Sequence, residues 1–388
     1  MKVYFVLRCN NFKTLKRFIN SGKEVAIMSK LFDIPNRIEA IQSLRFIAAI
    51  MVALSHFGIV NEITKSSAFN VMFFLRLFFV ISGFVVMIST EQKKSSIDFL
   101  LKRLIRLAPL YCLLTLFVFG VAQFLPSLIG YKPSIVQLIK SLFFVPFARE
   151  TLKDGVVLRP IVGLGHTLQM EMFFATIFAL ALKISHKYRG LTSGIMALVL
   201  AIVGLTVTFE GAFLQFYLNV NCYSLVSFVI GISIYYLMIW AKMRKFSNCK
   251  VIITSGIVAL ASLVSLYYLY NIWPSGILTY IIEFLSYACI IVCATSYSSM
   301  KLPVSKFLTK LGNASYSFYL IHYFVISVAE RFLHIDSFSW RNISLILIIV
   351  ALSWCMSYIS YYVIEKHFGM WMVEKINQQT HKMKLKSS

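Results

Sequence analysis

The sequence predicts an all-α, polytopic transmembrane helix bundle of about ten spans with both termini cytoplasmic, and three observations carry this expectation. Hydrophobic residues make up 59% of the 388 residues and charged ones only 14%. Mean hydropathy is +0.78, more apolar surface than a water-soluble fold of this length needs. The apolar residues gather into runs of roughly 17–25, the length that crosses a bilayer. The basic residues, finally, alternate between successive connections. Lys and Arg number 38 against 15 Asp and Glu, a formal net charge of +23. In a soluble chain that excess would point to nucleic acid; its alternation here reads as an orientation signal, helped by anionic lipid, and no nucleic-acid partner is expected.

In chain order the runs fall at 40–60, 69–89, 107–125, 164–183, 191–208, 218–240, 251–270, 277–297, 314–332 and 343–364. One side of the bilayer receives the basic N-terminal tail, then Lys93 to Arg106, Lys183 to Arg189, Lys242 to Lys250, Lys301 to Lys310, and the lysines from Lys366 onward. The other side receives Lys65, Lys132, Lys140, Arg149, Lys153, Arg159, Arg331 and Arg341. The positive-inside rule makes the first side cytoplasmic and the number of spans even. The chain then divides into a cytoplasmic tail, 1–37, a membrane domain, 38–368, and a basic cytoplasmic tail, 369–388. The N-terminus lacks the apolar core of a secretory signal, and Met28 opens a more ordinary start, so residues 1–27 are expected to be dispensable.

Two connections stand out. Trp273-Pro274-Ser275-Gly276 marks a tight turn. The outer connection 126–163 is the longest, carries Pro126, Pro133, Pro146 and Pro160, and includes a half-buried piece at 134–147 that is too short to cross. The seven cysteines show no ligand spacing and sit mostly in apolar runs, so they read as core and no metal site is expected.

The first run contains two residues that cost free energy at bilayer depth, Arg45 and His56. Eleven residues amount to three turns plus about 20°, so both point the same way, about 16 Å apart along the axis. Intramembrane ionisable residues usually face a bundle interior or a watery cavity, so a cation inside and a titratable base outside suggest a path across the membrane. Glu171, in the fourth run, lies about 18 Å above Lys183, near the depth of His56, where a carboxylate would orient the imidazole. Arg103 and Arg106 share a face of a basic amphipathic stretch on the cytoplasmic surface; their guanidinium forks fit phosphate recognition and membrane-surface anchoring equally. Ser82-Gly83 are small residues that let helices approach closely. Tyr316, Tyr319 and Tyr323 form a helical stripe with His322 beside it in the inner half, a pattern of packing as much as of a site.

These segments resemble, in order, those of the bacterial integral-membrane acyltransferases of family 3, which O-acetylate carbohydrates. Arg45 to His56 matches the family's Arg–ten residues–His signature. "FFVISGF" (78–84), "RLIRLAPLY" (103–111), "HTLQMEMFF" (166–174), "LGNASYSFYLIH" (311–322) and "SYYVIEKHF" (360–368) are similar to its other motifs. The chain departs from them at His166, where tryptophan is usual, at Ala175, where tyrosine is common, at Arg76 and at His367.

The resemblance implies a multi-pass protein of the bacterial cytoplasmic (inner) membrane. It implies an O-acetyltransferase that takes acetyl from cytoplasmic acetyl-CoA, a donor substrate and not a resident cofactor. The acceptor is a hydroxyl of a polysaccharide, oligosaccharide or lipid-linked sugar, as in exopolysaccharide or lipopolysaccharide decoration. In that reading Arg45, Arg103 and Arg106 hold the donor phosphates. His56 takes the proton of the sugar hydroxyl, with Glu171 orienting it; an acyl-histidine intermediate is the variant. A transporter or flippase of lipid-linked sugars is the alternative that buried Arg, His and Glu also allow, although no repeated halves are visible.

Overall fold

The computed structural model describes residues 39–57, 69–91, 95–151, 155–243, 249–273, 276–299, 306–333, 339–372 and 374–375. The expectations for the N-terminal tail and Met28, for residues 58–60, for Pro274-Ser275 and for the end of the C-terminal tail lie outside the described residues. Ten long helices carry the described chain: α1 Glu39–Leu54, α2 Phe74–Ser89, α3 Ser96–Phe124, α4 Gly165–Ile184, α5 Arg189–Thr206, α6 Cys222–Met243, α7 Cys249–Ile272, α8 Ile277–Ser299, α9 Ser315–Leu333 and α10 Trp340–Ser360. A two-stranded antiparallel hairpin, β1 Ala148–Thr151 with β2 Gly155–Leu158, folds between α3 and α4.

The chain is thus an all-α polytopic bundle. Eight of these helices, some with short extensions, are long and apolar enough to cross a membrane; α1 and α9 are the two that fall short. α1 is described over 16 residues and contains Arg45, and α9 carries His322, Glu330 and Arg331. Both contribute residues to the candidate site.

α3 departs most from the sequence expectation. It starts at Ser96, not near 107, because Ser95 caps it by accepting from the Asp98 N–H. Pro109, which reads as a boundary, sits inside the helix. At 29 residues, α3 is about 43 Å long, so the basic stretch is part of the span. α10 likewise continues beyond Ser360 as a π-helical stretch, Tyr361–Phe368, a widening often met at functional positions.

Packing sets the frame. α2 lies along α6, and Gly83 and Gly231 face each other at the crossing. A Cβ on Gly83 would stand 2.1 Å from the Phe228 carbonyl oxygen, and one on Gly231 2.0 Å from that of Val80. Only backbone against backbone fits there. α1 is held in the same manner by the short helix Lys306–Asn313, where a Cβ on Gly312 would lie 2.0 Å from the Gln42 carbonyl oxygen.

At the end opposite the lysine-rich one, the helix Ile135–Leu142 is closed by a Ser134–Gln137 capping box. It leaves Ile135, Val136, Ile139 and Phe143 exposed, a face suited to the interface of a bilayer. Phe144 anchors the segment: it adopts φ 58°, stacks on Tyr111 at 5.0 Å and accepts from the Tyr217 hydroxyl at 3.0 Å.

Candidate active site

Five helices converge on a chamber of about 70 Å³ lined by Arg45, Ser82, Arg103, Arg106, Thr167, Glu171, Tyr316 and Tyr319 over an apolar floor that includes Phe78 and Phe79. The spacing of three between Arg103 and Arg106 puts both on the inward side of α3. Arg103 donates to the Ser82 hydroxyl at 2.5 Å and pairs with Glu171 at 3.5 Å. Its Nε is buried without a partner among the described residues. Arg45 reaches the same space from α1 and lies within charge range of Arg103, Arg106, Glu171 and Glu365.

Arg106 also lines a second, wider cavity of about 530 Å³ toward the lysine-rich end, with Gln42, Lys102, Tyr361, Glu365 and Lys366. The π-helical stretch turns Glu365 inward, where the Ser317 hydroxyl donates to it. The Arg106 side chain lines both spaces, the smaller inner chamber and the wider outer one. Three guanidinium groups, Arg45, Arg103 and Arg106, face two carboxylates, Glu171 and Glu365. In a low-dielectric setting an uncompensated cation is costly, and an anion such as a phosphate or a thiolate supplies the missing charge.

His56 lies beyond this room. Its ring centre is 5.4 Å from that of His322 and 5.2 Å from that of Tyr323. His322 in turn stands 5.9 Å from Tyr319, which lines the chamber and accepts from the Thr167 hydroxyl at 3.0 Å. Arg45 and His56 both turn toward α9, although α1 ends at Leu54 and His56 stands in the turn that follows it, its N–H donating to the Ala53 carbonyl at 3.2 Å. The Tyr316 hydroxyl donates to the Leu107 carbonyl at 2.5 Å, which fixes α9 against α3.

Three sequence readings need correction. Glu171 does not orient His56: it pairs with Arg103, and among the described residues no hydrogen bond or ion pair joins it to the imidazole. Depth along a helix says nothing of lateral neighbours, and Arg103 is the nearer cation. Arg103 is not a surface anchor either, since its side chain is only 11% exposed. His322 flanks the tyrosine stripe as expected, 5.9 Å from Tyr319, but it is not confined to an inner half apart from the outer-end imidazole: it meets His56 ring to ring. Ser82 holds Arg103, whereas its neighbour Gly83 belongs to the α2–α6 seam.

Sequence reasoning passed over two acids. Glu365 lines the wider cavity, and its signal was a carboxylate immediately after the last apolar run. Glu283, the one acid in the eighth run, pairs with Arg76 at 2.8 Å. It also accepts from Tyr270 at 3.0 Å and from Tyr287, while the rings of Tyr223 and Tyr280 lie 5.5 and 5.3 Å from the Arg76 guanidinium.

A pocket between helices with three arginines against two carboxylates, and a pair of imidazoles beyond Tyr319, is an arrangement able to hold an anion beside a titratable base. A family profile described as an acyltransferase domain matches residues 38–362, and the chain belongs to this acyltransferase family. It is also similar to the exopolysaccharide production protein ExoZ of Rhizobium meliloti (strain 1021), with 28% identity over 267 residues, 66% of this chain and 76% of that protein.

Proposed function

We propose that this acyltransferase moves an acetyl group from acetyl-CoA to a hydroxyl of an exopolysaccharide or its lipid-linked precursor, in the bacterial inner membrane with the lysine-rich end in the cytoplasm. The observation that carries the reading is the arginine-rich inner room that shares Arg106 with a wider cavity at the lysine-rich end. A nucleotide donor bearing phosphates matches that charge, and its slender pantetheine arm suits a narrow room behind a wide entrance. The likeness to ExoZ supports an exopolysaccharide acceptor, and membership of an acyltransferase family favours group transfer over a carrier.

In this reading Lys102, Arg106 and Lys366 meet the phosphates, and Arg45 and Arg103 sit nearest the thioester. His56 takes the proton from the sugar hydroxyl as its oxygen bonds to the thioester carbonyl carbon. The carbon–sulfur bond then breaks, the thiolate recovers the proton, and free CoA and the sugar ester leave. Glu171 keeps Arg103 in place.

The test is direct. Membranes containing the protein are incubated with acetyl-labelled acetyl-CoA and exopolysaccharide, and alkali-labile label is sought on the sugar. Label is expected with wild type and not with His56→Ala present in equal amount. No label on any carbohydrate with wild type, or full turnover by His56→Ala, overturns the reading.

A further inference from the structure

His322 is fully buried, and its Nδ1 stands 2.8 Å from the carbonyl oxygen of Phe318, one turn earlier. A carbonyl oxygen only accepts, so Nδ1 carries the hydrogen and the neutral ring keeps its lone pair on Nε2. Phe318 stacks on the imidazole at 5.3 Å, and Trp354 of α10 stacks on Phe318 at 4.3 Å. Orientation and tautomer are thus both set from the side away from His56. Nε2 of His322 and Nε2 of His56 are each buried without a hydrogen-bond partner among the described residues. The ring centres lie 5.4 Å apart, and two imidazoles that share an N–H···N bond of ~3 Å have centres roughly 5 Å apart. The observed separation is close to that geometry.

We infer that His322 is the positioning residue of His56, the role a carboxylate fills in other catalytic histidine systems. The inference rests on His56 being the base. When His56 takes the hydroxyl proton it becomes an imidazolium with two N–H groups. One returns its proton to the leaving thiolate, and the other is received as a hydrogen bond by the His322 lone pair. His322 keeps its own hydrogen on Nδ1 throughout, so it neither gains nor loses a proton over the cycle. A neutral acceptor adds no charge to the apolar packing of α1, α9 and α10, where a carboxylate would.

Two substitutions separate this from packing. His322→Asn retains an amide N–H for the Phe318 carbonyl but has no acceptor at the Nε2 position; His322→Gln places an amide oxygen close to it. At equal membrane content the Asn variant is expected to lose about 100-fold in kcat with KM for acetyl-CoA unchanged, and the Gln variant to recover at least about tenfold of that loss. Equal turnover by the two variants, or wild-type turnover by His322→Asn, overturns the inference. If His322→Asn does not accumulate, His322→Gln against His322→Met gives the same contrast of acceptor present and acceptor absent: tenfold higher turnover with Gln supports the inference, and equal turnover overturns it. His56→Ala is run beside them. Activity in that variant refutes the base assignment itself, whereas an inactive His56→Ala beside a fully active His322→Asn refutes only the pairing.

Discussion

Two arginine–carboxylate pairs between helices stand among the described residues, and they are built differently. Arg76–Glu283 is closed: its contact is 2.8 Å, the carboxylate is 0% exposed, and two tyrosine hydroxyls donate to it. Each charge is matched and each acceptor filled. Arg103–Glu171 is loose: its contact is 3.5 Å, the carboxylate is 28% exposed, the Arg103 Nε is unsatisfied, and two further arginines stand beside it. A buried ion pair is tolerated when its hydrogen bonds are complete. The first pair meets that condition by itself, and the second meets it only with a ligand. What separates a brace from a site is therefore not the presence of opposite charges but whether the charges and hydrogen bonds balance without help.

The contrast can be broken experimentally. The largest effect is expected from Glu283→Ala, which leaves Arg76 buried and unpaired and costs about 3–5 kcal/mol of stability, read as unfolding in detergent micelles. Near wild-type stability would remove the distinction. Arg103→Ala is expected to act on function, raising KM for acetyl-CoA by about 100-fold through the loss of charge-assisted bonds worth roughly 1.5–3 kcal/mol. An unchanged KM would show that the loose pair does not serve the donor. Arg103→Lys keeps the charge and loses the planar fork, so a rise of about tenfold is expected from the same titration of rate against acetyl-CoA. Tyr270→Phe, the mildest change, removes one donor to Glu283 and should lower stability by about 1 kcal/mol with transfer activity intact.

Much of this was legible in the chain. The eleven-residue spacing of Arg45 and His56 singled out two residues that do turn toward one helix, α9, but the periodicity behind it stops at Leu54 and His56 is placed by the turn that follows. The arginines at 103 and 106 were visible as a pair for the same reason. What escaped was lateral: which helix lies beside which. Counting residues up from Lys183 gave a height for Glu171 but not its neighbour, and so matched it with His56 in place of Arg103. Pro109 disguised the true start of α3, since a proline is read as a boundary unless the turns before it are known to be helical. Glu283 carried the same signal as Glu171, a lone acid in an apolar run. It had no basic residue nearby in sequence, because Arg76 meets it across more than two hundred positions.

The glycine seam between α2 and α6 has a consequence beyond holding two helices together. Ser82, which receives Arg103, is the residue next to Gly83, so the grip on the donor-side guanidinium is set by a backbone contact on the opposite flank of the same helix. Any methyl group added at Gly231 would push α2 bodily toward the substrate. With Arg103 serving the donor as proposed, a variant remote from every reacting atom is expected to behave like a binding mutant.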